Sequence, residues 1–141
     1  MKNSFLQIPL KFTFIFCAFF FTSCDNRDSS KFPVSTLSYI EAENEVGGHS
    51  TLSDQKLEDV FNSKYKDHWF TWEGVISLVE SDHVSINIDG SGLSDLNVYF
   101  ADEKAGYDLK VGQKIKVCFV MTSPGGSFLS FGGEDAFIVK D

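Results

Sequence analysis

Trp69-Phe-Thr-Trp-Glu-Gly-Val-Ile-Ser-Leu-Val-Glu80 is the stretch whose reading decides the fold. Phe70, Trp72, Gly74, Ile76 and Leu78 alternate with Thr71, Glu73 and Ser77, the period of two that marks a strand with one wet face. The run is long for a strand. Gly74 at its centre removes a side chain where a strongly coiled strand must bend and let another backbone come close. Small closed barrels contain strands of this kind, so the rest of the chain is read for partners that close on it.

Downstream, Val84-Ser-Ile-Asn-Ile88 and Leu96-Asn-Val-Tyr-Phe100 alternate as second and third strands, separated by the turn Asp89-Gly-Ser-Gly92. Leu96, Val98 and Phe100 are expected inside, Asn97 and Tyr99 outside. Ala101 to Leu109 is charged and longer than a hairpin loop, with room for a helical turn. A fourth strand runs from Ile115 to Met121, with Ile115, Val117, Phe119 and Met121 on one side. Ser123-Pro-Gly-Gly126 turns the chain into a fifth strand over about Ser127 to Phe131, which Gly132-Gly133 is expected to interrupt before Ala136 to Val139 ends it. A dozen buried side chains, Phe70, Trp72, Ile76, Ile86, Val98, Phe100 and Phe119 among them, contribute about 2 kcal/mol each before chain entropy cancels most of the gain.

Upstream, Thr51-Leu-Ser-Asp54 has capping-box spacing and precedes Leu57, Val60, Phe61 and Tyr65, which predicts a helix from about Leu52 to Ser63 that plugs one end of the barrel. Ser35 to Val46 reads as a shorter helix capped by Ser35 or Thr36 and stopped by Gly47-Gly48. Asp25 to Ser30 reads as a spacer, and a wholly disordered Asp25 to Ser50 would reach roughly 30 Å. The first residues carry Lys2 and Lys11, then the apolar run Phe12 to Phe21, then Thr22-Ser23, the layout of a secretory signal and too short for a spanning helix. Phe21-Thr22-Ser23-Cys24 resembles the lipobox of bacterial lipoproteins, with Phe21 where that family usually has an aliphatic residue. The resemblance implies that Cys24 is acylated, as with palmitate, and becomes the mature N-terminus, anchoring the protein to a membrane on the periplasmic side of the cell envelope. Asp25 is similar to the signal that retains enterobacterial lipoproteins at the inner membrane. The expected organisation is a signal peptide over 1–23, a lipidated tether over 24–50 and a helix plus barrel over 51–141.

Removing residues 1–23 leaves 118 residues, enough for one domain, and changes the balance of 12 Lys+Arg against 20 Asp+Glu to 10 against 20, because Lys2 and Lys11 leave with no acid. That charge opposes the counterion-release binding of nucleic acids. With Cys17 in the signal and Cys24 modified, no intramolecular disulfide framework is expected from the one remaining thiol, Cys118.

Three strands, a longer connection and two more strands is the order of the five-stranded OB barrel. Trp72-Glu-Gly74-Val-Ile76 is similar to the first-strand pattern of the tRNA-anticodon-like OB domains of envelope lipoproteins, and Leu109-Lys-Val-Gly-Gln-Lys-Ile-Lys-Val117 resembles their approach to the fourth strand. The expected fold class is therefore all-β with an N-terminal helix, an OB-fold-like barrel behind a cleaved lipoprotein signal. These motifs describe barrel corners and license no activity by themselves.

No G-x-S-x-G is present, and Cys118 has no histidine near it in sequence, so an enzyme is not expected. His49, His68 and His83 lack zinc-motif spacing, and Asn87 to Asp95 reads as a strand turn rather than a calcium loop, so no metal or cofactor is expected. Lys104, Lys110, Lys114 and Lys116 interleave with Asp102, Glu103 and Asp108, a mixed solvated edge. The OB ligand surface lies on strands two and three with the loops joining strands one to two and four to five. Here it offers Ser85, Asn87, Asn97 and Tyr99, flanked by His83 and by Ser123 to Ser127. One aromatic among amides suits a glycan or a polar protein surface better than stacked nucleotides. The expectation is a lipid-anchored, non-catalytic envelope binding module for a protein or glycan. The alternatives are a single-stranded nucleic-acid binder and an exclusion or immunity-type lipoprotein acting on one envelope protein.

Overall fold

The computed structural model describes Asp28 and residues 30–140. The expected signal peptide, Cys24 and Asp25 lie outside the described residues. Two helices, α1 (Tyr39–Val46) and α2 (Asp54–Lys64), precede five strands, β1 (Trp69–Val79), β2 (Val84–Asn87), β3 (Leu96–Phe100), β4 (Lys114–Ser123) and β5 (Phe131–Ile138). The strands close into a barrel in the order β1-β2-β3-β5-β4. β3 and β5 pair in parallel and every other pair is antiparallel. The architecture is OB-fold-like, as the sequence pattern predicts.

Gly74 has the close neighbours expected of it. A Cβ there would lie 2.6 Å from the Asn87 carbonyl oxygen and from Ile86 Cγ2. Phe70, Trp72, Ile76, Ile86, Leu96, Val98, Ile115, Val117, Phe119 and Met121 form one buried core. Leu78 departs from the expected alternation. The β1–β2 register slips between Ile76 and Leu78, and this bulge at Ser77 turns Leu78 toward solvent and Val79 toward the core. Gly132 and Gly133 do not interrupt the last strand but lie within β5. Gly133 sits against the Phe119 ring, where a Cβ would come within 2.4 Å of Cδ2, so the glycine makes space for a core aromatic. Asp135 at φ 51° marks the bulge that follows.

The predicted helices form with shifted starts. Ser53, not Thr51, caps α2, and its side chain makes no capping bond. The full capping box belongs to α1, where Ser38 Oγ accepts the Glu41 amide and Glu41 accepts the Ser38 amide. Phe61 and Tyr65 of the α2 stripe are buried, with Tyr65 stacked against Phe70 at 5.9 Å. α1 contributes Tyr39, Ala42 and Val46 to the same core. The described residues ahead of it are docked on the barrel. Val34 bridges Trp69 in parallel, Trp69 N donates to Pro33 O and Ser35 N to Trp69 O, each at 2.8 Å. Phe32 packs on a second, outer cluster of Trp69, Cys118 and Val120. No described helix is long and apolar enough to cross a membrane.

Candidate functional site

Strand alternation gives the barrel two ends. The β1–β2 turn and the connection from β3 to β4 meet at one, and the β2–β3 and β4–β5 connections meet at the other. At the first end Glu80 N donates to His83 O at 2.9 Å and closes the β1–β2 turn. Glu80, Asp82 and His83 then face Tyr99, Glu103 and Tyr107 across an open cleft of about 710 Å³. His83 Nδ1 lies 2.9 Å from Asp82 Oδ1, and its ring tilts over Tyr99 with centroids 5.3 Å apart. The hydrogen bond from His83 holds the Asp82 carboxyl below the usual carboxylate range. Tyr107 is 87% exposed. Among the described residues, three carboxylates and two tyrosines line this cleft and no Lys or Arg does.

The five residues expected on the ligand surface divide into three groups. His83 and Tyr99 line the cleft. Ser85 and Asn97 are partners across β2 and β3, with Ser85 Oγ donating to Asn97 Oδ1 at 2.8 Å. Ser85 is only 4% exposed, so it supports the surface from beneath. Asn87 braces the next turn, donating to Ser91 O and Leu93 O and accepting the Gly90 amide at 2.7 Å. Gly90 and Gly92 at φ 79° and 69° make that segment a turn, as read from Asp-Gly. Ser123 to Ser127 borders the far end of the β2–β3 face from His83.

The sequence reading passes over Glu80, Asp82, Glu103 and Tyr107. Tyr107 lies in a charged connection with no strand or helix period, and only the return of that connection over β3 brings it to Tyr99. Among the described residues, Glu80, Asp82 and His83 have ligand atoms within 4.8 Å of one another. They sit on one exposed turn, and His83 Nδ1 is already engaged with Asp82, the geometry of an imidazole–carboxylate pair. Cys118 is 0% exposed under Trp69 and Val120, on the outer face of β4.

No protein-family model matches the chain, and no curated protein matches its sequence. The class that fold and site define is a small OB-fold-like barrel with an acidic, aromatic cleft at one end.

Proposed function

We propose that this protein is a lipid-anchored, non-catalytic binding module of the cell envelope that takes a protein or glycan partner in the cleft of Tyr99, Tyr107 and His83. The observation that carries the reading is the lining itself. Exposed tyrosine faces beside carboxylates suit stacking on a sugar ring with hydrogen bonds to its hydroxyls, or capture of a polar protein loop, and the absence of Lys and Arg from the lining disfavours phosphate. The buried position of Cys118 and the lack of a nucleophile motif support a non-catalytic role.

The anchor would hold the barrel close. The chain is docked on Trp69 from Phe32 onward, and Asp28 O already accepts the Trp69 indole at 3.3 Å. Four residues from Cys24 to Asp28 span at most about 14 Å. Two or more acyl chains on Cys24 make the attachment stable, so the cleft would work within a barrel's width of the bilayer.

The test is a photo-crosslinking amino acid at position 99 in intact cells. Recovery of a glycan strand or of one stoichiometric protein supports the reading and tells the two apart. The absence of any adduct at 99, with adducts at a distant surface position such as 56, refutes it. Fatty-acid labelling that persists after Cys24→Ala refutes the anchor.

A further inference from the structure

The opposite end of the barrel displays large apolar side chains on loops that are tied together. Gly126 N donates to Leu129 O at 2.8 Å and Leu129 N to Gly126 O at 3.1 Å, a tight turn that leaves Phe128 at its tip, 86% exposed, with Leu129 at 73%. Leu93 on the β2–β3 turn is 68% exposed beside the same groove, whose volume is about 460 Å³. Ser130 Oγ donates to Ser94 O at 2.6 Å and Phe131 N to Asp95 O at 2.8 Å, joining the two loops. Asp95 then accepts the amides of Ile88 and Asp89 at 2.5 and 3.1 Å and the Tyr39 hydroxyl at 2.9 Å, joining both loops to α1. An exposed apolar display on a braced frame loses little freedom on binding.

We propose that this end is a second, independent docking surface, for a protein segment that presents aliphatic or aromatic side chains flanked by Lys or Arg. Charge chooses the occupant. Among the described residues, Glu43, Asp89 and Asp95 line the groove with His49 beside Glu43 and no Lys or Arg, within a protein that carries 20 acids against 12 Lys and Arg. Two copies of the chain meeting here would oppose like charges. Leu93, Phe128 and Leu129 would also bury a few hundred Å² between them, less than the roughly 800 Å² per partner of a stable pair. An anionic lipid surface meets the same repulsion. A cationic segment gains from the rim what an apolar contact of this size lacks.

The probe is a pair of short synthetic peptides with one shared Leu/Phe pattern, flanked by lysines in one and by glutamates in the other, titrated against the full chain. The lysine peptide binds, the glutamate peptide does not, and added salt weakens binding. The double substitution Phe128→Ser with Leu129→Ser lowers affinity about tenfold or more. Both side chains are exposed, so its melting temperature stays near that of the parent. Tyr99→Ala leaves lysine-peptide affinity unchanged, which separates this surface from the cleft. Equal binding of the two peptides overturns the proposal, as does binding that survives the double substitution. Sedimentation showing self-association through these loops, or vesicle binding that needs Phe128, overturns it in favour of a second copy or a membrane.

Discussion

The two ends of this barrel are built from the same five strands and are finished in opposite ways. At the cleft end Glu80, Asp82, His83, Tyr99, Glu103 and Tyr107 stand around open space, and the contacts that hold them are between side chains at the surface. At the loop end, half-buried hydrogen bonds through Asp95, Ser94 and Tyr39 brace the backbone, and the apolar side chains stand outside it. One end is an open hollow lined by polar and aromatic side chains and the other a hydrogen-bonded frame with an apolar tip. A closed barrel permits this because its strands satisfy one another's backbone groups, leaving each set of connections to be shaped separately.

The largest effect tests what the ends share. Gly133→Val drives a branched side chain into the Phe119 ring, and we expect a loss of about 3 kcal/mol in urea unfolding, with both ends losing order together. A variant that stays as stable as the parent would show that the barrel wall yields more than its packing indicates. Asp95→Ala comes next. It removes the acceptor of two amides and one hydroxyl and should lose about 2 kcal/mol. Its faster amide exchange should be confined to residues 88–95 and 126–131, and equal loss of protection around His83 would break the independence of the two ends.

Alkaline pH sharpens the comparison further. Burial, followed by hydrogen bonds to Asp95 and Glu45, pushes the Tyr39 and Tyr65 hydroxyls well above their ordinary value of 10.0. Raised in the fold, these groups give stability that is complete below that value and is lost as pH rises, because the unfolded chain ionises and the folded chain does not. The decline is at most about 1.4 kcal/mol per pH unit for each tyrosine. Urea midpoints above pH 10 should fall, with a shallower slope in Tyr39→Phe, a substitution at the braced end.

The smaller effects lie at the cleft. Tyr99→Ala should change stability by less than about 1 kcal/mol while lowering affinity for the partner captured at position 99 about tenfold. Asp82→Asn should leave the urea midpoint close to that of the parent, since its pair with His83 is exposed.

Strand order and core were legible because burial imposes a period on the sequence. Phe70, Trp72, Ile76 and the Ile115 to Met121 row needed only alternation. Leu78 was misplaced because alternation assumes an unbroken register, and the Ser77 bulge depends on how β2 pairs. Gly132-Gly133 looked like an interruption because a glycine pair signals a turn locally, and only the Phe119 ring across the sheet shows that the space is occupied. The stretch before residue 50 read as a tether with a short helix over Ser35 to Val46, and only the fold shows that Phe32, Tyr39, Ala42 and Val46 each find a ready-made surface on the barrel. Of the candidate site, Tyr99 and His83 were visible as outward residues of β3 and the β1–β2 turn. Tyr107, Glu103, Leu93 and Phe128 were not, because connections have no period from which their direction can be read.

By itself the sequence determined the kind of fold and its charge: alternation selects which faces are buried, turn residues set the strand order, and the excess of acids persists in any conformation. Tertiary structure alone decided where the barrel's two ends acquire their chemistry. Residues far apart in the chain, such as Tyr39 with Asp95 or Ser94 with Ser130, meet only after closure of the sheet has fixed which connections lie side by side.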